Sequence, residues 1–223
     1  MKIGLIYTST TPELIRLVEE EIKKAFGKNI CLVSWQDPSI LAQVRESGYV
    51  TAQPAARLIK MFMEAVEQGC DGILNVCSSV GLVADAMQPV AKLTGVPIVR
   101  IDEEMCRNAV ERAEKIAVMA TLPTTLEPTK ATLCRLAEEK GRKIELIDIL
   151  VEGAFGLDPV QFQKKMADYA KLAVGRADII LFAQGSMAYC SQYIESMYYI
   201  PVLSSPEYGA RALKKALEDR QDC

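Results

Sequence analysis

Asp71-Gly72-Ile73-Leu74-Asn75-Val76-Cys77 and Asp178-Ile179-Ile180-Leu181-Phe182-Ala183-Gln184 carry one pattern twice: an acidic residue, a short apolar run, and one chemically capable side chain at its end. Each run is β-branched in part. Each is followed by small polar residues, Ser78-Ser79 in the first copy and Gly185-Ser186 in the second, that open a helix-like stretch. A buried parallel strand delivers a side chain to the start of a following helix in this way. The copies differ at their last position, where one has cysteine and the other glutamine. The pattern predicts that Cys77 and Gln184 hold equivalent places and face each other across one site.

Two further pairs of segments recur in the same order. Ile3-Gly4-Leu5-Ile6-Tyr7-Thr8 matches Ile116-Ala117-Val118-Met119-Ala120-Thr121, with Thr11 against Thr124, at an offset of 113 residues. Val96-Pro97-Ile98-Val99 matches Ile200-Pro201-Val202-Leu203, with Glu103 against Glu207, at an offset of 104. The Cys77/Gln184 offset of 107 lies between them. Two similar α/β halves, each built on a parallel sheet, are the simplest architecture that satisfies this. The expected division is residues 1–104 with about 206–223 as the first half, carrying Cys77, and 105–205 as the second, carrying Gln184.

Strands are predicted near 2–8, 29–35, 71–76, 96–101, 115–121, 143–149, 178–183 and 200–204. Helices are predicted near 11–26, 51–69, 80–94, 103–114, 124–140, 158–175, 187–196 and 206–219. Thr11 before Pro12-Glu13, and Gly27, Gly95 and Gly141 after apolar-periodic runs, are start and stop signals. Such alternation implies parallel sheets whose ligand sites lie at the carboxyl ends of strands. The small polar clusters fall there: Thr8-Ser9-Thr10-Thr11, Cys77-Ser78-Ser79, Thr121 with Thr124-Thr125, and Gln184-Gly185-Ser186.

At 223 residues and 50% hydrophobic, the chain can bury a full core. A net charge of −3 without a Lys/Arg block argues against nucleic acid or a membrane surface as partner. No apolar run approaches the ~18 residues of a membrane span, and no signal-peptide core precedes the first strand pattern. Seven cysteines without CxxC spacing read as reduced intracellular thiols, so a cytoplasmic location is expected. There is no histidine, which removes imidazole triads and proton shuttles and nearly all zinc sites. With no GxGxxG or GxxxxGK[ST] loop either, the expected chemistry uses no cofactor and no metal.

Taken together, the Thr/Ser turn after the first strand, Asn75-Val76-Cys77-Ser78-Ser79, Val96-Pro97-Ile98-Val99-Arg100-Ile101-Asp102-Glu103-Glu104, Met119-Ala120-Thr121-Leu122-Pro123-Thr124-Thr125 and the second-half strand end resemble the aspartate/glutamate/hydantoin racemase superfamily over nearly the whole chain. The resemblance implies two pseudo-symmetric α/β domains with the active site in the cleft between them. It also implies a cofactor-free racemase in which two cysteines, one from each half, move a proton on a carbon next to a carboxylate. Cys77 matches the first of these cysteines, and Ser78 and Ser79 match the Asn and Thr that usually follow it. Thr121 and Thr124 match a carboxylate-binding turn, with Thr8 and Ser9 as its first-half counterpart. Gln184, followed by Gly185 and Ser186, stands where the second cysteine belongs. The implied partner is a small carboxylate-bearing substrate, and a homo-oligomer is left open.

The chemistry of Cys77 has a physical basis of its own. A free thiol ionises near pH ~8.5, and placement at a helix start can lower that. Backbone N–H groups, with the Ser and Thr hydroxyls, can hold a carboxylate and the enolate-like charge beside it. A glutamine donates and accepts hydrogen bonds but takes no proton at useful pH. Asn75, Ser78, Ser79, Thr8, Ser9, Thr121, Thr124, Gln184, Gly185 and Ser186 are thus the candidate substrate contacts around a catalytic Cys77.

Plainer roles compete. Cys77 could be a small buried hydrophobe, the Thr and Ser clusters helix caps, and Gln184 a partner for buried backbone. Cys190, six residues beyond Gln184 on a predicted helix, should point away, roughly 240° around and ~9 Å along. Glu103, Glu104 and Glu207 could orient a substrate amine or merely favour helix starts. Two function classes follow: an isomerase, with Tyr49 or water as second group or a one-thiol decarboxylase or lyase as close variant, and a carboxylate-binding protein without chemistry.

Overall fold

The computed structural model describes residues 1–9 and 11–221; Thr10 of the first polar cluster, and Cys223, lie outside the described residues. The chain forms two compact units, residues 1–101 with the segment from Pro206 onward, and residues 102–205. In chain order the first unit runs β1 (Lys2–Tyr7), α1 (Pro12–Phe26), β2 (Cys31–Gln36), α2 (Pro38–Ser47), α3 (Ala52–Glu67), β3 (Gly72–Asn75), α4 (Gly81–Ala86), α5 (Gln88–Thr94) and β4 (Ile98–Arg100). The second runs α6 (Glu103–Arg112), β5 (Lys115–Ala120), α7 (Pro123–Glu139), β6 (Glu145–Leu150), α8 (Pro159–Ala170), β7 (Ile179–Phe182), α9 (Ser191–Tyr198) and β8 (Val202–Ser204). The last helix, α10 (Ser205–Gln221), belongs to the first unit for almost its whole length.

Each unit is built on a four-stranded parallel sheet, ordered β2-β1-β3-β4 in the first and β6-β5-β7-β8 in the second. The orders coincide when each strand is matched to the one four places later, so the sequence duplication is a duplication of topology. Successive side chains of a strand point to opposite faces, and parallel sheets bury both. In the first unit Ile6, Ile73 and Ile98 pack with Ile40, Val44, Leu58, Phe62, Val83 and Ala84 from α2, α3 and α4. On the other face Ile3, Leu5, Tyr7, Leu74 and Val76 meet Leu14, Val18 and Ile22 of α1 and Ala210, Leu213 and Leu217 of α10. Fully burying such a side chain is worth about 1.5–3 kcal/mol.

The acidic residue that opens each copy of the repeat is a clip at the amino end of the sheet. The Asp71 carboxylate accepts the Lys2 N–H at 2.7 Å, and the Asp71 N–H donates to the Lys2 carbonyl at 2.7 Å. In the second unit the Asp178 carboxylate accepts the N–H groups of Glu114 and Lys115 at 3.0 and 2.8 Å. Those donors hold the Asp178 carboxyl below the usual carboxylate range.

Two helical details correct the expectation. Residues 38–47, absent from the predicted helices, form α2, with Asp37 accepting the Ser39 N–H at 3.0 Å, Pro38 in the first turn and Gly48 closing the helix at φ 79°. The single helix predicted over 80–94 is broken at Met87 into α4 and α5. Pro89, having no N–H, cannot donate back to the residue 85 carbonyl, which weakens the helical ladder at this break. Among the described residues, no helix is long and apolar enough to cross a membrane.

Candidate active site

In the first unit β1 and β3 run in register with Ile6 beside Asn75, and the Val76 N–H donates to the Ile6 carbonyl at 2.9 Å. Thr8 and Cys77 therefore leave the sheet side by side at its carboxyl end. Pleat alternation carries Cys77 to the α2, α3 and α4 face, where it packs half-buried against that core. Its backbone is extended, at φ −152° and ψ 113°. Asn75 lies beneath it, 1% exposed, and its Nδ2 donates to the Cys77 carbonyl at 3.1 Å. That bond decides the amide orientation, because a carbonyl accepts only from the NH₂ end. The opposite atom, Oδ1, is buried without a hydrogen-bond partner among the described residues, as are Thr8 Oγ1 and Tyr7 Oη. Buried polar atoms are rarely left so. Ser9 is half-buried after Thr8, and Ser78 and Ser79 are buried in a 3-10 turn, Ser78–Val80, that leads into α4. The helix start after Cys77 is thus a tight turn and a six-residue helix, shorter than the sequence reading assumed.

Arg100 was not singled out in the sequence, although an arginine inside an apolar strand was the available signal. It ends β4, in register with Asn75, is 6% exposed, and its Nη1 lies 2.6 Å from the Asp85 carboxylate of α4. Its guanidinium lies against Gly81, where an added Cβ would come within 2.5 Å of Cζ and 2.6 Å of Nε and Nη2. Gly81 is buried at the end of the Cys77 turn.

The second unit repeats the strand ends with different chemistry. Met119 pairs with Phe182, and the Ala183 N–H donates to the Met119 carbonyl at 2.9 Å, so Thr121 and Gln184 also emerge side by side. Gln184 Oε1 accepts both the Thr121 N–H, at 2.7 Å, and the Thr121 hydroxyl, at 3.0 Å. The plainer role weighed for Gln184, a partner for backbone, is one it performs. Gly185 and Ser186 are half-buried in the 3-10 segment Gly185–Cys190 that follows. Thr124 sits in the first turn of α7, with Oγ1 buried and unpartnered among the described residues.

Residues 185–190 are 3-10 and not α-helical, and in that geometry positions three apart eclipse one another, so the α-helical offset expected for Cys190 does not hold. Burial decides its role instead. Cys190 is fully buried in the second unit's core, and desolvation pushes its thiol up to about 12. Glu103 bridges Arg107 at 3.1 Å and Arg135 at 2.6 Å, linking α6 to α7, and Glu207 pairs with Arg211 within α10. Tyr49 is exposed in the turn between α2 and α3. Thr11 is a helix cap, its hydroxyl accepting the Leu14 N–H at 3.2 Å. Among the described residues no group of three or more His, Cys, Asp or Glu could hold a metal ion.

The arrangement offers one thiol with buried hydroxyl and amide groups beside it in the first unit, and a glutamine locked to a threonine in the second. The sequence profile of the Asp/Glu/Hydantoin racemase family matches residues 3–213. No curated protein sequence matches the chain. Among solved structures, allantoin racemase from Klebsiella pneumoniae is similar with a TM-score of 0.67 at 16% identity, over 100% of this chain and 88% of that one. Glutamate racemase from Francisella tularensis subsp. tularensis SCHU S4, in complex with D-glutamate, is similar at 0.68 and 14% identity, over 99% and 82%. Picrophilus torridus aspartate racemase is similar at 0.68 and 14% identity, over 97% and 94%. At these identities the likeness to the solved structures is one of fold.

Proposed function

The chain belongs to the Asp/Glu/hydantoin racemase family, and from that premise we propose that it is a cofactor-independent racemase or isomerase of a small carboxylate or amino acid, with Cys77 as its proton-transfer residue. The observation that carries the reading is the place of Cys77, a half-buried thiol at the carboxyl end of β3 beside Thr8 and above Asn75. As thiolate, Cys77 takes the proton from the carbon next to the carboxylate. As thiol, it returns one. The charge that builds on the carboxylate as the carbanion forms needs fixed hydrogen-bond donors, the part proposed for Thr8, Ser9, Ser78 and Ser79, and for Thr121, Thr124, Gly185 and Ser186 of the second unit. Asn75 orients the thiol through its bond to the Cys77 carbonyl.

The state of Gln184 favours a second reading. Its only acceptor atom is committed to Thr121, and an amide cannot relay a proton at useful pH. An enzyme with one proton-transferring thiol protonates an enolate on one face, which suits a decarboxylase or lyase.

One experiment separates the two. Amino acids, hydantoins and substituted malonates or maleates are incubated in D₂O with the protein, and deuterium incorporation, enantiomer ratio and carbon dioxide release are followed. Loss of exchange by ~10²–10⁴-fold in Cys77→Ala supports the acid/base role, and full activity in that variant defeats it. Exchange without inversion identifies the one-thiol reading. Gln184→Cys, which restores a second thiol, is then expected to gain racemisation.

A further inference from the structure

We propose that Arg100 is a positioning residue for Cys77, acting through Gly81 as a clamp on the turn that follows the thiol. The inference rests on the reading of Cys77 as the proton-transfer residue. The turn from Cys77 to Gly81 has two ends, and a neighbouring side chain holds each. At the near end, Asn75 Nδ2 donates to the Cys77 carbonyl at 3.1 Å. At the far end, the guanidinium of Arg100 lies against Gly81, so close that a methyl group there would overlap Cζ, Nε and Nη2 at 2.5–2.6 Å. Asn75 and Arg100 are themselves register partners on adjacent strands. Both restraints are therefore set by one rung of the sheet.

A charged group this deeply buried is costly unless paired, and Arg100 is paired with Asp85 at 2.6 Å. Its side chain is 5% exposed while that of Asp85 is 44% exposed, so the buried partner is the arginine and the solvated one the carboxylate. An apolar residue would serve as well for packing alone. What the arginine adds is a rigid planar fork anchored at both ends, by β4 and by Asp85 on α4, and set against Gly81. A side chain at position 81 would have to displace the guanidinium, whereas the backbone there, at φ −55°, is ordinary helical backbone that any residue adopts. The two positions are thus coupled, and the coupling reaches Cys77 four residues before.

The test reads both the fold and the thiol. Gly81→Ala, Arg100→Met, Arg100→Lys and the double variant Gly81→Ala/Arg100→Lys are compared for melting temperature. In the same proteins, the iodoacetamide rate of Cys77 is measured by peptide mass spectrometry against the exposed Cys31 as internal reference. Gly81→Ala and Arg100→Met are expected to raise the Cys77/Cys31 rate ratio about fivefold or more as the turn is released, a size within the range of coupling in one connected network. Arg100→Lys keeps the charge opposite Asp85 but loses the fork, and should raise the ratio too, by about half as much as Arg100→Met. The double variant, in which the slimmer lysine leaves room for the methyl group, should bring the ratio back toward the parent and melt above Gly81→Ala. A purely structural arginine would lower the melting temperature and leave the ratio unchanged in the folded variants, and that result overturns the clamp. Should Gly81→Ala fail to fold, the Arg100→Met ratio decides alone: a rise of about fivefold or more supports the clamp and an unchanged ratio overturns it. Failure of the Cys77 reading itself shows separately, as full activity in Cys77→Ala.

Discussion

Thr121 donates twice to one oxygen, its N–H and its hydroxyl lying 2.7 and 3.0 Å from Oε1 of Gln184. The equivalent pair in the first unit, Thr8 and Cys77, leaves the Thr8 hydroxyl buried without a partner among the described residues. Two strand ends of the same topology are therefore in opposite states. In one the paired side chains satisfy each other, and in the other the threonine keeps unmet hydrogen-bonding capacity beside a thiol.

Gln184→Ala is expected to lower stability by about 1–3 kcal/mol, since two hydrogen bonds worth about 0.5–1.5 kcal/mol each are lost. Gln184→Glu keeps an acceptor and should lose less. Urea unfolding midpoints at unchanged slope measure both, and an alanine variant as stable as the parent would show that the Thr121 bonds contribute nothing.

Alkaline stability should depend on Cys190. Burial raises its thiol to about 12 in the folded state, while an unfolded thiol ionises near ~8.5. The unfolded chain thus gives up this proton first, so the stabilisation is complete below ~8.5 and is lost as pH rises toward the folded value. Unfolding free energy measured between about pH 8.5 and 12 should fall less steeply in Cys190→Ala. Identical slopes would place the alkaline loss elsewhere, for instance at the buried Tyr7, whose hydroxyl burial also holds protonated.

Asp178 works in the opposite direction. Its carboxyl is held low by the N–H groups of Lys115 and Glu114, so its contribution is present above the unfolded pKa of ~3.9 and disappears as pH falls through the lower folded value. Asp178→Asn should therefore lower the melting temperature at neutral pH and converge with the parent in strong acid. A gap that stays constant down to about pH 2 would point to the lost shape of the clip rather than its charge.

Gly209→Ala is expected to destabilise the first unit by about 1–3 kcal/mol. A Cβ at Gly209 would meet Ile101 Cγ1 at 2.7 Å and, less avoidably, the Ile101 Cα and carbonyl oxygen at 2.9 and 3.0 Å. Backbone cannot step aside as a side chain can, so α10 must shift from the end of β4. Chemical denaturation measures the loss, and a stability equal to the parent would mean that the helix moves freely there.

All eight strands were legible in the chain because buried parallel strands are short, uninterrupted apolar runs, and the duplication of those runs announced two sheets of one topology. Helix α2 was not, although Asp37-Pro38 and Gly48 mark its ends. It is only ten residues long, and what makes it a helix is burial of Ile40 and Val44, with Leu41 beside them, against a core that a linear reading does not contain. Cys77 and Gln184 could be picked out as the ends of equivalent strands, because periodicity and repetition are properties of neighbours in sequence. Their surroundings could not. Gln184 meets Thr121 across 63 residues, and Arg100 meets Asp85 across 15. Such partners are chosen by strand register and helix placement, which exist only once the chain has folded. The sequence by itself determined the duplicated α/β plan and singled out the cysteine and the glutamine at equivalent strand ends. The tertiary structure alone decided that the glutamine is tied to its threonine and that a buried arginine lies over the glycine after the thiol.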